Sequence, residues 1–110
     1  MIIDFNEIEE KQVNGFKNGS GPFLTKLADD NKVKIMHNIL PVGSSIGMHT
    51  HKGNCEVMYI LKGTITFTCD GKQETAKAGE VHYCPCGHTH SAENLGDTDA
   101  EFFAIVPETK

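Results

Sequence analysis

The residues of this sequence that are most able to do chemistry are its histidines. His49 and His51 are two positions apart in a stretch whose alternation predicts a β-strand. Side chains two positions apart on a strand project from the same face, so these two imidazoles are close enough to share one ion. The spacing therefore indicates a chelating pair for a metal.

A carboxylate and a further histidine can complete this site. Glu56 follows a bend at Lys52-Gly53-Asn54 that can bring its carboxylate beside the pair. A carboxylate among apolar neighbours needs such a partner, because burying an unpaired charge is costly. His90 is the best-placed fourth ligand, since it follows the rigid turn Pro85-Cys86-Gly87. The predicted metal ligands are His49, His51, Glu56 and His90.

Three nitrogens and one oxygen limit the kind of metal that the site would hold. Four protein ligands leave two positions of an octahedron open, so a divalent iron, manganese, nickel or cobalt ion could also bind a substrate directly. Zinc is also an expected cofactor, although four protein ligands would nearly saturate a tetrahedral zinc ion. The sequence thus predicts one divalent metal ion without naming it.

Alternating polar and apolar residues predict the strands that would position these groups. The predicted strands span residues 33–40, 45–51, 56–61, 64–69, 72–76, 81–84 and 100–106. Asp70-Gly71 is a hairpin signal between two of them. Only residues 6–11 favour a helical turn. Many short strands with close turns are typical of an all-β sandwich or barrel.

Length and charge exclude several classes of partner. A chain of 110 residues is expected to form one domain. Its net charge of −5 and the lack of any basic patch argue against nucleic acid as a partner. No apolar run is long enough to span a membrane. The first residues, Met1-Ile2-Ile3-Asp4-Phe5, show no targeting segment, so a cytoplasmic location is expected.

All ten basic residues are lysines, which bears on the ligand. Without arginine, no guanidinium can clamp a phosphate or a carboxylate with two parallel hydrogen bonds. A neutral or singly charged small molecule, held chiefly by the metal, is therefore favoured as the ligand.

Two motifs carry a resemblance to a known family. The first motif is glycine, five residues, His-x-His, four residues, glutamate, six residues and glycine, and it is filled by Gly43, His49, His51, Glu56 and Gly63. The second is glycine, five residues, proline, one residue, glycine, two residues, histidine, three residues and asparagine, and it is filled by Gly79, Pro85, Gly87, His90 and Asn94. In these ten positions the sequence resembles the cupin family.

The resemblance covers roughly residues 33–106 and implies a fold and a function. The implied fold is a double-stranded β-helix, the cupin jelly-roll barrel, over residues 32–110, with residues 1–31 as an N-terminal arm that packs on it. The implied function is that of a metal-dependent enzyme of isomerase, lyase or dioxygenase type, acting on a small carbohydrate-like or carboxylate metabolite. The alternative is a non-catalytic, metal-dependent binding or sensor protein.

Apolar residues suggest the walls of the cavity and a contact between subunits. Met58, Ile60, Phe67 and Tyr83 are candidates for the cavity wall, although ordinary barrel core explains most of them as well. Residues 57–61 are apolar on both strand faces, and Phe102-Phe103 places rings on opposite faces of the last strand. The second apolar face needs cover. The second sheet or the N-terminal segment could provide it, and the interpretation that we favour is a homodimer formed by contact between sheets.

Several other groups leave alternatives open. His88 forms a second His-x-His with His90 and could replace it as a ligand. His82 shares a strand face with Cys84 and is expected outside the barrel, whereas the orientation of His37 is not determined. The four cysteines are expected to be reduced, and Cys84-Pro85-Cys86 with a nearby histidine is a weaker candidate for a metal site.

Overall fold

The computed structural model describes residues 1–109, and these residues form ten β-strands and two short 3₁₀ helices. The 3₁₀ helices span Phe5–Glu7 and Phe16–Asn18. The strands are β1 Lys11–Asn14, β2 Pro22–Asp29, β3 Val33–Leu40, β4 Ser45–Thr50, β5 Glu56–Lys62, β6 Thr64–Cys69, β7 Lys72–Lys77, β8 Val81–Cys84, β9 Thr89–Glu93 and β10 Ala100–Pro107. The all-β prediction is confirmed.

The strands form two antiparallel sheets. One sheet has six strands in the order β1-β2-β3-β10-β5-β8, and the other has four in the order β4-β9-β6-β7. Strands that are adjacent in a sheet are often distant in the sequence, as for β4 with β9 and β3 with β10. None of the helical segments in residues 1–109 has the length and apolar content that crossing a lipid bilayer requires.

The core lies between the two sheets and is built from alternate residues of their strands. Ile60 and Phe102 of the six-stranded sheet and Ile65 and Phe67 of the four-stranded sheet are completely buried. Burying one such side chain contributes about 1.5–3 kcal/mol. Packing between these side chains fixes the position of one sheet relative to the other, and so of any site that uses both.

All seven predicted strands are present, but three further strands were not predicted. Strands β1 and β2 add to β3 at the edge of the six-stranded sheet, so a large part of the first 31 residues belongs to that sheet. Strand β9, with the sequence Thr-His-Ser-Ala-Glu, lacks the apolar alternation that marks the others. The helical turn predicted over residues 6–11 is limited to the short 3₁₀ helix at Phe5–Glu7.

The hairpin between β6 and β7 turns at the predicted place. Asp70 and Gly71 both have positive φ angles, 50° and 82°, as a two-residue turn of type I′ requires. The turn sets β7 beside β6 so that Phe67 is paired with Glu74.

The 3₁₀ helix at Phe16–Asn18 is held against β4 by two glycines. A Cβ atom on Gly47 would lie 1.9 Å from the carbonyl oxygen of Lys17, and one on Gly19 would lie 2.1 Å from that of Ser45. The backbone of the N-terminal segment thus approaches β4 more closely than any side chain would permit. Phe16 stacks on Phe23, with ring centroids 4.9 Å apart, and anchors the segment to β2.

This close approach predicts the effect of a single methyl group. Gly47→Ala should push the 3₁₀ helix off β4 and lower the free energy of unfolding by about 1–3 kcal/mol. The neighbouring change Met48→Ala, at a side chain that is mostly exposed, should alter it by less than about 0.5 kcal/mol. Urea denaturation of the two variants measures the difference, and equal midpoints would contradict the packing described.

Candidate metal centre

Three histidines and one glutamate meet in the interior. His49 is on β4, His51 directly follows that strand, Glu56 begins β5 and His90 is on β9. His49 and His90 are direct partners in the pairing of β4 with β9. One potential ligand atom from each of the four residues lies within 4.8 Å of the others. The structure therefore brings together the four residues that the sequence predicted as ligands.

The ligand atoms converge on one point. Nε2 of His51 and Nε2 of His90 each lie 3.1 Å from Oε1 of Glu56, and the two nitrogens are 3.0 Å apart. Nε2 of His90 is also 3.1 Å from Nε2 of His49. Adjacent donors about 2.1 Å from an octahedral ion stand about 3.0 Å apart, so the cluster has the dimensions of a metal site.

The chemistry of the donors also fits a cation. A neutral imidazole carries one N–H. Because the outer nitrogens of these rings face hydrogen-bond acceptors, that proton can lie on the outer nitrogen and leave the inner nitrogen's lone pair free for a cation. His49 Nδ1 is 2.7 Å from the carbonyl oxygen of Gly47, and His51 Nδ1 is 2.7 Å from Oδ1 of Asn54. Metal-bound histidines are usually oriented in this way by a hydrogen bond from their second nitrogen. The sequence had suggested no role for Gly47, and for Asn54 only a place in the bend before Glu56.

Burial and hydrogen bonding shift the pKa values of the cluster. Burial alone would raise the pKa of Glu56, but hydrogen bonds from His51 and His90 outweigh it and lower that pKa to about 2. The hydrogen bond to Glu56 raises the pKa of His51. Burial lowers the pKa of His49. Glu56 is thus an anion at neutral pH, as a ligand of a divalent cation should be.

His82 corrects one expectation from the sequence, because it lies inside and not outside the barrel. Its side chain is almost completely buried and stacks on Phe67, with ring centroids 3.7 Å apart. Val81 and Tyr83 are on the opposite face of β8 and are 55% and 54% exposed. The two apolar residues of β8 thus face outward, and the histidine faces the core.

The remaining histidines lie outside the cluster. His88 is paired with Asp70 and is about half exposed, so the structure places His90 and not His88 among the four donors. His37 lies 3.3 Å from the carboxylate of Glu101. Neither residue contacts the candidate metal centre.

The cysteines do not contribute to a metal site in residues 1–109, where the cluster described above is the one group of ligating residues with suitable geometry. All four are free thiols, as expected. Cys84 is buried and Cys86 is exposed, so these two neighbours of Pro85 do not face a common point.

A cavity of about 660 Å³ opens beside the cluster. Its wall includes His49, His51 and Glu56 from the cluster, together with Phe16 and Lys17 of the N-terminal segment. A volume of this order suits a small-molecule ligand. The segment that reaches over the cavity had received no functional role from the sequence.

The four predicted wall residues are not in the lining of this cavity. Met58, Ile60 and Phe67 are buried in the core beside it. Tyr83 is on the exposed face of β8 and does not line the cavity. Apart from the cluster and its neighbours, most of the cavity wall is formed by residues of the first three strands and the N-terminal segment, which precede the motifs in sequence.

Comparison with known proteins identifies the family. The family model for the cupin domain matches residues 36–106. The chain belongs to the cupin family. The resemblance found in the two motifs is therefore confirmed, and the fold of this cupin is the jelly-roll barrel that the resemblance implied.

A curated relative and a solved structure, both from Thermotoga maritima, resemble this cupin over nearly its whole length. An oxalate-binding protein is 38% identical over 112 residues, which cover 96% of this chain and 93% of the relative. A crystal structure described as a predicted oxalate decarboxylase has a TM-score of 0.91 and 34% identity, and the match covers 98% of this chain and 99% of that one.

A more distant cupin structure shares the fold. A sugar phosphate isomerase of Silicibacter pomeroyi has a TM-score of 0.80 with 18% identity, over 99% of this chain and 76% of that one. At this identity the likeness shows the fold alone.

The cluster geometry predicts what removal of one ligand would do. His51→Ala should weaken binding of a divalent metal at least about tenfold and leave the barrel folded, because the core does not depend on this ring. His88→Ala removes the other histidine of a His-x-His pair from outside the cluster and should leave the metal content unchanged. Elemental analysis and circular dichroism of both variants test this, and normal metal content in His51→Ala would refute the ligand assignment.

Proposed function

We propose that this cupin binds one divalent transition metal through His49, His51, Glu56 and His90, and that the metal binds a small carboxylate in the adjacent cavity. The observation that carries the proposal is the convergence of four donor atoms, three of whose residues line a cavity of about 660 Å³. A bound metal would act as a Lewis acid that polarises an oxygen of the ligand.

The charges of the cavity favour an anionic ligand. Lys11, Lys17 and Lys34 line it, against the two carboxylates of Glu9 and Glu56. Glu56 would be neutralised by the metal, so the wall then carries a net positive charge. Lysine can hold a carboxylate as a point charge even though the chain lacks arginine. The sequence favoured a neutral or singly charged ligand, whereas the net positive charge of this wall favours an anion.

Oxalate is the carboxylate that we propose first. The Thermotoga maritima relative that matches 96% of this chain is named an oxalate-binding protein, and the similar crystal structure is described as a predicted oxalate decarboxylase. Oxalate can bind one ion through two oxygens, which would use the two open positions of an octahedron. Lys17 lies in the cavity wall with His51 and would pair with the ligand's charge.

The proposed site could serve either of two roles, catalysis or binding without reaction. In the catalytic role, of lyase type, the carbon–carbon bond of hydrogen oxalate breaks, carbon dioxide leaves, and the proton ends on the other carbon to give formate. In the binding role, oxalate is held and released unchanged. The name of the relative favours binding, and the description of the similar structure favours catalysis.

Calorimetry with the Mn²⁺-loaded protein tests the ligand. Oxalate should bind saturably, and Lys17→Met should weaken it about tenfold, a loss of ~1.4 kcal/mol, without altering metal content. Lys72→Met, an exposed lysine on β7, serves as the matched control. Failure of the metal-loaded protein to bind oxalate would contradict the proposed ligand.

The same preparation distinguishes the two roles. Release of carbon dioxide and formate under nitrogen would establish the lyase. Saturable binding with no product in air or nitrogen would establish the binding role, and uptake of dioxygen would point to oxidation instead.

We also propose that this cupin is a homodimer, as the sequence suggested. On β3, β10, β5 and β8, the outer face of the six-stranded sheet carries two cross-strand rows without a Lys, Asp or Glu side chain, and the second row continues onto β2 at Lys26. The rows are Ile35, Ile105, Val57 and Tyr83, and His37, Phe103, Tyr59 and Val81. The same face of two copies of the protein can therefore pack together about a two-fold axis. Phe5 stacks on Phe103 and covers only one part of it.

A charge on this face should separate the subunits. Tyr83→Lys is expected to convert a dimer to a monomer, because it would bury an unpaired ammonium group in the interface. Leu95→Lys changes an exposed apolar residue that lies outside this face and should have no effect. Analytical ultracentrifugation measures the mass, and a monomeric unmodified protein would overturn the proposal.

A further inference from the structure

We propose that His82 and Glu74 are positioning residues for His90, connected to it by a chain of hydrogen bonds that runs from the metal centre to the surface. The inference rests on the proposed metal binding, because it concerns how one of the ligands is oriented. Neither residue is one of the ten fixed positions of the two motifs, and neither is among the four proposed ligands.

The chain consists of two links of ordinary hydrogen-bond length. Nδ1 of His90 lies 3.0 Å from Nε2 of His82, and Nδ1 of His82 lies 2.9 Å from Oε1 of Glu74. The other nitrogen of His90, Nε2, faces Glu56 and the other two histidines in the cluster. His90 is therefore joined to the metal centre through one nitrogen and to the chain through the other.

Binding of a metal would fix the direction of both links. A metal needs the lone pair of His90 Nε2, so the proton of that ring must be on Nδ1, where it is donated to Nε2 of His82. His82 then accepts at Nε2 and must carry its own proton on Nδ1. That proton is donated to the carboxylate of Glu74, which is only an acceptor when ionised. One arrangement of protons satisfies every atom of the chain.

The surroundings of His82 hold the chain in this geometry. The ring is stacked on Phe67 at an interplanar angle of 8° and is parallel to His90 within 16°. Glu74 is on β7 and His82 on β8, which are the end strands of the two sheets. The chain thus crosses the seam between the sheets. The Glu74 side chain is 64% exposed, so an acid on the surface is linked to a buried ligand.

If His82 only stabilised the fold, the identity of its hydrogen-bond partners would be left unexplained. Burial of His82 requires a partner for its polar atoms, and Glu74 alone would leave Nε2 unsatisfied. The partner found there is the outer nitrogen of a metal ligand rather than a backbone group. Hydrogen bonds of this kind set the orientation and basicity of a ligating imidazole, and their loss usually weakens metal affinity 10–100-fold.

Measurement of metal affinity in an exposed variant tests the inference. Glu74→Ala should weaken Co²⁺ binding about tenfold in chelator competition and shift the visible absorption of the bound Co²⁺. Because Glu74 is exposed, the variant should fold normally. Glu101→Ala is the matched control, since Glu101 is a partly exposed carboxylate that pairs with His37 away from the cluster. It should bind Co²⁺ with unchanged affinity and spectrum.

Two further variants separate positioning from packing. Glu74→Gln keeps an oxygen acceptor for His82 and should recover part of the lost affinity. His82→Phe keeps the ring stacked on Phe67 but leaves His90 Nδ1 without a partner, so it should weaken binding at least as much as Glu74→Ala. If His82→Phe fails to fold, the Glu74 variants still decide the question.

The possible failures have different meanings. An unmodified protein that binds no Co²⁺ would overturn both the proposed function and this inference. Normal binding by the unmodified protein, together with affinity and spectrum unchanged in Glu74→Ala, would overturn this inference alone. An equal loss in Glu101→Ala would also overturn it, because the effect would then be one of surface charge.

Discussion

The pairing of the buried Glu56 carboxylate with three imidazoles, two of them buried and that of His49 partly buried, is the constraint on which the site depends. Glu56 comes from the six-stranded sheet, whereas His49 and His90 come from the four-stranded one. Their convergence therefore requires that the two sheets pack in one relative position, which core side chains such as Phe67 and Phe102 determine. A buried Glu56 without these partners would be costly, so the chemistry and the core stabilise the same arrangement.

Much of the fold and of the four-residue cluster could be predicted because both depend largely on short-range patterns. Period-two alternation located seven strands, and Asp70-Gly71 marked a hairpin whose φ angles the structure confirms. The spacing of His49 and His51 placed two rings on one strand face. Glu56 and His90 needed more than local pattern, since their approach depends on pairing between strands distant in sequence, and there the family motifs supplied what alternation could not.

The parts that sequence reasoning missed depend on contacts between distant segments. Strand β2 has only partial alternation, and its pairing with β3 makes it part of the sheet. For His82, local pattern gave the correct pair of faces but the wrong assignment of inside and outside. The usual rule places apolar residues inward, but Val81 and Tyr83 lie on an outer sheet face that is itself apolar. When the outer face of a sheet is apolar, the alternation of a short strand therefore predicts the wrong face to be buried.

The four donor residues and much of the cavity wall come from different parts of the chain, and this separation bears on ligand specificity. The four donors lie between residues 49 and 90, within the region that the family model covers. Much of the wall, including Phe16, Lys17 and Phe23, lies before that region. The same four donors could therefore serve different ligands when the preceding segment changes, which agrees with the principle that a fold does not determine an activity. The close contact of Gly47 with the backbone of Lys17 joins the two parts, because it sets how far the wall stands from the donors.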